Sequence, residues 1–129
     1  MTTPLVPDRL FVYGTLLPGE SRWHFLQQFV DDEGVVDSVA GHLFDTGCGY
    51  PAAVFSAAAS LIHGRVFVLD VDQLDHALEV LDQVEGAADG QYRRVQVVSE
   101  SGPTAWAYAY GEGLSLTPIA HGSWLDRNG

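Results

Sequence analysis

Lysine is absent from this 129-residue chain, and its six basic residues are all arginine: Arg9, Arg22, Arg65, Arg93, Arg94 and Arg127. Seventeen acidic residues oppose them, for a formal charge of −11. Such a field repels a phosphate backbone unless the arginines cluster, and only Arg93 and Arg94 are adjacent; neither nucleic acid nor an anionic membrane is an expected partner. Cys48 is the single cysteine, which excludes an intrachain disulfide and any Cys-x-x-Cys motif. As a nucleophile it would need a partner base; as a small apolar residue in a Gly-rich turn it needs none. No apolar run is long enough to span a bilayer, since the longest weakly polar stretch, Pro51 to Ile62, is broken by Ser56 and Ser60. With no basic-then-apolar leader in view, a cytoplasmic location is expected.

Several chemical signatures are missing too. There is no Gly-x-x-x-x-Gly-Lys-Ser/Thr loop and no Gly-x-Gly-x-x-Gly after a strand, so nucleotide phosphates have no recognisable cradle. The five histidines form neither His-x-His nor His-x-x-x-His, which leaves zinc without local support. A Gly-x-Ser-x-Gly elbow is lacking as well, although a dispersed Ser-His-Asp triad stays open.

What remains is a chain that is 47% apolar, rich enough to collapse and of a length suited to one domain over 1–129. Leu10 to Tyr13 reads as a strand stopped by Gly14, followed by a Pro- and Gly-containing loop. Ser21 is placed to cap a helix from about Arg22 to Val30, with Phe25, Leu26 and Phe29 on one side. Partial alternation over 34–46, a short run Ala53 to Phe55, and Ile62 to Val71 predict further strands. Asp72 is placed to cap a helix from 73 to about 85, with Gly86 as its stop. Tyr92 to Ser99 and Pro103 to Tyr110 read as the last strands. In the latter, Ala105, Ala107 and Ala109 share one face and Trp106, Tyr108 and Tyr110 the other. The pattern predicts an α+β fold: a mixed, mostly antiparallel sheet curled into a small β-barrel with flanking helices.

One residue breaks the helical pattern. Leu74, Leu78, Leu81 and Glu85 follow steps of 4, 3 and 4 and so share a stripe, while Asp75, Glu79 and Asp82 fall on another, expected to face solvent. Glu85 stands where another apolar residue belongs, at a helix C-terminus where the macrodipole disfavours an anion. Desolvation and dipole both raise a carboxyl's pKa, which suits a proton shuttle. The alternative is a frayed last turn with Glu85 bent into water. Tyr13-Gly14-Thr15-Leu16 offers a second candidate: a glycine turn with access to positive φ, whose amides can converge on an anion, or else a plain turn after a strand. Trp106, Tyr108 and Tyr110 fit a core or an interface, and the Tyr110 phenol, near the strand end, is a candidate ligand contact.

Together these segments resemble the gamma-glutamylcyclotransferase-like family, which includes gamma-glutamylamine cyclotransferases. The resemblance lies in Leu10-Phe11-Val12-Tyr13-Gly14-Thr15-Leu16 with Pro18-Gly19, in Leu81-Asp82-Gln83-Val84-Glu85-Gly86, and in Tyr92-Arg93-Arg94-Val95. It continues through Ala105-Trp106-Ala107-Tyr108-Ala109-Tyr110 to Ile119-Ala120-His121-Gly122-Ser123-Trp124, in family order across nearly the whole chain. It implies a small barrel with a cavity at its mouth, a catalytic acid/base at Glu85, and a substrate loop at Tyr13, Gly14, Thr15 and Leu16. The implied reaction is cofactor-independent and metal-free: the α-amine of a gamma-glutamyl compound attacks its own γ-carbonyl, releasing 5-oxoproline and an amine. The chain departs from many relatives in carrying Leu17 and Arg22 where they have a basic residue and an asparagine. A non-catalytic module binding a small metabolite on the same fold is the alternative; an interaction domain using the Trp106/Tyr108/Tyr110 face is a third reading.

Overall fold

A computed structural model of the protein describes residues 7–47, 49–57, 60–85, 92–111, 116–119 and 121–125. Cys48 and Gly86 lie outside the described residues. In chain order the elements are β1 (Arg9–Val12), α1 (Trp23–Gln27), β2 (Val35–Asp45), β3 (Pro51–Phe55), β4 (Leu61–Val68), α2 (Leu74–Val84), β5 (Tyr92–Val98), β6 (Thr104–Tyr110) and β7 (Thr117–Ile119).

The strands run in the order β3-β2-β4-β1-β6-β5, with β7 added to β2. Every pairing is antiparallel except β1 with β6, which is parallel. This is the mixed, nearly closed barrel with two helices that the strand pattern predicts. The long strand β2 makes the curl possible, since residues 35–40 pair with β4 and residues 41–45 with β3. Gly41 marks that corner: a Cβ there would meet the Val54 carbonyl oxygen at 2.5 Å. Across the remaining gap the Tyr92 hydroxyl donates to the Pro51 carbonyl at 2.5 Å, tying β5 to β3.

Alternation on β1 and β6 builds two cores rather than one. Phe11, Tyr13, Ala105 and Ala107 point into the barrel with Ile62, Val66 and Trp124. Leu10, Val12 and Tyr108 point outward, where Leu26 and Phe29, Leu78 and Leu81 cover them. Small alanines leave space inside a tight barrel, and the large aromatics fill the wider layer beneath the helices. The Trp106/Tyr108/Tyr110 face thus packs within the fold.

Several local expectations are corrected. α1 is shorter than the stretch from Arg22 to Val30, and Ser21 does not cap it; Arg22 holds the N-cap position, where its guanidinium, a donor only, cannot accept from the helix N–H groups, and its own N–H bonds the Thr15 carbonyl at 2.8 Å. β4 stops at Val68, since Asp70 accepts from the Asp72 N–H at 3.0 Å and starts a 3-10 turn, Val71–Gln73, ahead of α2. Asp70 therefore caps the 3-10 turn, and α2 itself starts behind Gln73 with no side-chain cap bond, so Asp72 caps neither. β7 has no clear mark in the sequence, because Pro118 and a length of three residues carry little strand signal. Among the described residues no helix is long and apolar enough to cross a membrane.

Candidate active site

α2 sets the site. Ala77, Leu78 and Leu81 are buried and Leu74 half-buried, so the helix is pinned to the sheet by the stripe that carries Glu85 at its end. The Glu85 N–H still bonds the Leu81 carbonyl at 2.9 Å, which holds the residue in helical register instead of letting it fray. Its side chain is only 14% exposed. Burial raises its pKa to about 7, with the Arg22 guanidinium pulling in the opposite direction. That guanidinium lies 3.5 Å from Oε2 and 5.5 Å from the centre of the Tyr50 ring.

Glu85 opens onto a cleft with about 340 Å³ of atom-free space, its solvent-open part included. Tyr13, Gly14, Thr15 and Leu16 line the same cleft, together with Tyr50, Pro51, Tyr92 and Tyr108. Gly14 has no positive φ, contrary to expectation. Space is what it supplies: a Cβ would meet Pro51 Cγ at 2.6 Å, so any side chain would push β3 off the loop. The Leu17 N–H returns to the Gly14 carbonyl at 3.0 Å and closes the turn, while no hydrogen bond between described residues takes the N–H of Thr15 or Leu16.

The phenols around Glu85 are fixed. Tyr13 donates to the Tyr108 carbonyl, and its pKa is raised by burial first and by the Glu85 charge second. Tyr108 donates to Asp82 at 2.8 Å; burial and then that bond keep it protonated. Asp82 is therefore not the solvent-facing acid its stripe predicts. It accepts from Arg94 at 2.8 and 3.3 Å as well, and Arg94 stacks 4.3 Å from the Trp106 ring centre.

Five of the six residues singled out in the sequence are thus brought together. Tyr110 is not among them; it lines a separate depression with Arg93, Gln96 and Phe55. Tyr110 pairs with Tyr92 in the β5–β6 register, whereas Tyr108, two residues earlier on the same face, lines the cleft. Tyr50 and Pro51 carry no local signal of a place at the cleft, because it depends on contacts distant in sequence; Tyr92 is marked by the Tyr92-Arg93-Arg94 segment, and Arg22, beside Glu85 and Tyr50, by its departure from the family pattern. Among the described residues no group of three or more His, Cys, Asp or Glu converges to hold a metal ion.

The barrel thus brings a shielded carboxyl, Glu85, and the loop Gly14, Thr15 and Leu16 to one cleft. Residues 10–126 match the family described as "Gamma-glutamyl cyclotransferase, AIG2-like", and the chain belongs to that family. A Vibrio cholerae protein named "Putative gamma-glutamylcyclotransferase" is 36% identical over 121 residues, covering 92% of this chain and 96% of that protein. The gamma-L-glutamyl-butirosin B gamma-glutamyl cyclotransferase of Niallia circulans is 32% identical over 106 residues, 78% of this chain and 65% of its own. Among solved structures, the mouse AIG2-like protein superposes with a TM-score of 0.57 at 17% identity, over 91% of this chain and 87% of that one, which is a likeness of fold.

Proposed function

We propose that the protein is a gamma-glutamylcyclotransferase that converts a gamma-glutamyl amine into 5-oxoproline and the free amine, with Glu85 as its proton carrier. The observation that carries this reading is a carboxyl 14% exposed, raised to about 7, on the same cleft as the Thr15 and Leu16 amides. Family membership over residues 10–126 supports the substrate class.

In the reaction, ionised Glu85 takes a proton from the substrate α-ammonium. The freed nitrogen attacks the γ-carbonyl carbon, a C–N bond forms, and charge gathers on the carbonyl oxygen. The backbone N–H groups of Thr15 and Leu16, which no hydrogen bond between described residues takes, suit the substrate α-carboxylate and that oxyanion. Glu85 then returns its proton to the departing nitrogen as the original C–N bond breaks. The ring nitrogen sheds a second proton by the same carboxyl, so both protons lost from the α-nitrogen end on the expelled amine. Nucleophile and electrophile share one molecule, which removes most of the entropic cost of bringing them together. The protein has only to fold the chain over and move protons.

The phenols do not compete for the proton role, since burial and the neighbouring carboxylates hold Tyr13 and Tyr108 in their neutral forms. The test is release of 5-oxoproline from a panel of gamma-glutamyl amines by the wild type and by Glu85→Gln. A Glu85→Gln protein with undiminished turnover would remove the carboxyl from the mechanism.

A further inference from the structure

The turn after β1 is bounded by a residue from another strand. Gly14 meets Pro51, whose ring is so close that a Cβ on Gly14 would come within 2.6 Å of Cγ and 2.8 Å of Cδ. Where Pro51 stands therefore limits where the turn can stand. Pro51 opens β3, which ends the sheet order and has β2 as its strand neighbour among the described residues. On that side it faces Asp45, and it has no N–H to give to the ladder. Just before it, the Thr46 hydroxyl donates to the Tyr50 carbonyl at 2.7 Å and ties the two ends of the β2–β3 connection. On the other side the hold comes from β5: the Tyr92 hydroxyl donates to the Pro51 carbonyl at 2.5 Å, across 41 positions of chain. Tyr92 is buried, and it lines the cleft with Gly14 and Pro51.

We propose that Tyr92 is a positioning residue for the reaction: its hydroxyl holds Pro51 against Gly14 and so fixes where the Thr15 and Leu16 amides point. For the chemistry this rests on the cyclotransferase reading; for the geometry of the turn it does not. A buried carbonyl that loses its donor is costly to leave unpaired, so removal of the hydroxyl drives the start of β3 toward another partner or toward water. Such a shift meets little resistance, because among the described residues no ladder joins β3 to β5. Pro51 moves with its ring, and Gly14 has no side chain to keep the turn in place. An amide aimed at a developing oxyanion acts through its geometry, and a misplacement of about 1 Å costs on the order of a hundredfold in rate. Tyr92 thus works on the turn from β5 through a proline ring, with its hydroxyl donating to a backbone carbonyl and proton transfer left to Glu85.

The experiment takes Tyr92→Phe, which deletes the hydroxyl and keeps the ring, Pro51→Ala, which keeps the carbonyl and removes the ring from Gly14, and the double variant, with melting curves to verify folding. In Tyr92→Phe, kcat for 5-oxoproline release is expected to fall roughly 10- to 100-fold, while the acid limb of the pH profile, set by Glu85, stays at its wild-type position. Pro51→Ala should lose a similar factor, and the double variant no more than the worse single one, since both changes break one chain of contacts. A folded Tyr92→Phe protein with wild-type kcat overturns the proposal. So does an acid limb that moves with the loss, which would put Tyr92 to work on the carboxyl instead, and so does a double variant whose loss is the product of the two. Where Tyr92→Phe does not fold, Pro51→Ala decides: a loss of kcat with the acid limb in place supports the route through the proline, and wild-type kcat overturns it. The amide NMR spectrum gives a readout without turnover. The Thr15 and Leu16 N–H signals should shift and exchange faster with solvent in Tyr92→Phe, while those of the β2–β4 ladder hold. If no gamma-glutamyl compound is turned over, moved Thr15 and Leu16 signals still support the positioning role while the cyclotransferase reading falls; unmoved signals overturn it.

Discussion

Two ion pairs sit one turn apart at the end of α2 and have opposite characters. Asp82 and Arg94 are locked: two bonds join them, Tyr108 adds a third, and Trp106 backs the guanidinium. Glu85 and Arg22 meet once, at 3.5 Å, and the carboxyl is the more deeply buried of the two acids, at 14% exposed against 30% for Asp82. The difference lies in compensation. Asp82 loses water and gains three donors, so it serves as an anchor between helix and sheet. Glu85 loses water and gains little, so its proton is held near neutrality and can be moved.

The sharpest way to break this comparison is to neutralise each acid in turn. Glu85→Gln is expected to lower 5-oxoproline release by about a thousandfold while the protein stays folded, as removal of a general acid/base does. Should Asp82→Ala show the larger loss of turnover at equal folding, the roles would be reversed.

The next effect is on stability against pH. The folded-state pKa of Glu85 lies above the ordinary 4.5, so the folded protein holds the extra proton between the two values. Its favourable contribution is complete below about pH 4.5 and is lost as pH rises through about 7, a fall of about 3 kcal/mol. Denaturant titrations across that range should show the fall in wild type, superimposed on other groups, and a flatter curve in Glu85→Gln. Activity should run the other way, with kcat/KM rising through the same pH as Glu85 ionises; an acid limb that stays put in Arg22→Gln would argue that Arg22 does not act on this carboxyl.

Asp82→Ala comes third. Part-buried Arg94 and the Tyr108 hydroxyl lose their acceptor, and a destabilisation of about 2 kcal/mol is expected from the denaturation midpoint. Tyr108→Phe, which removes one donor and leaves the Arg94 fork intact, should cost about 1 kcal/mol by the same measurement. Equal costs for the two variants would mean that the phenol, not the fork, anchors the helix.

Much of this is readable along the chain. The steps joining Leu74, Leu78 and Leu81 put Glu85 on the buried stripe, and α2 keeps that phase to its end. Alternation separates Ala105, Ala107 and Ala109 from Trp106 and Tyr108, and the two faces of β6 enter different cores. The same reasoning sends Asp82 to solvent, because a stripe tells which side of a helix a residue occupies and nothing about a cation waiting beside it. Local pattern gives Gly14 a conformational duty, whereas its duty is spatial, since Pro51 crosses it from another strand. A place at a strand end favours Tyr110 as a ligand contact, whereas in the structure Tyr108 lines the cleft with Glu85 and Tyr110 lines another depression.

The sequence by itself determined the strand and helix periods, the two-faced character of β6, and an acid out of place at the end of α2. Those are properties of a few neighbouring residues and the repeat of the backbone. Tertiary structure decided which charges meet. Glu85 finds Arg22 across 63 positions of chain, and Asp82 finds Tyr108 across 26. Pairings of that kind arise only when the closing barrel brings distant segments within a few ångströms and removes the water between them.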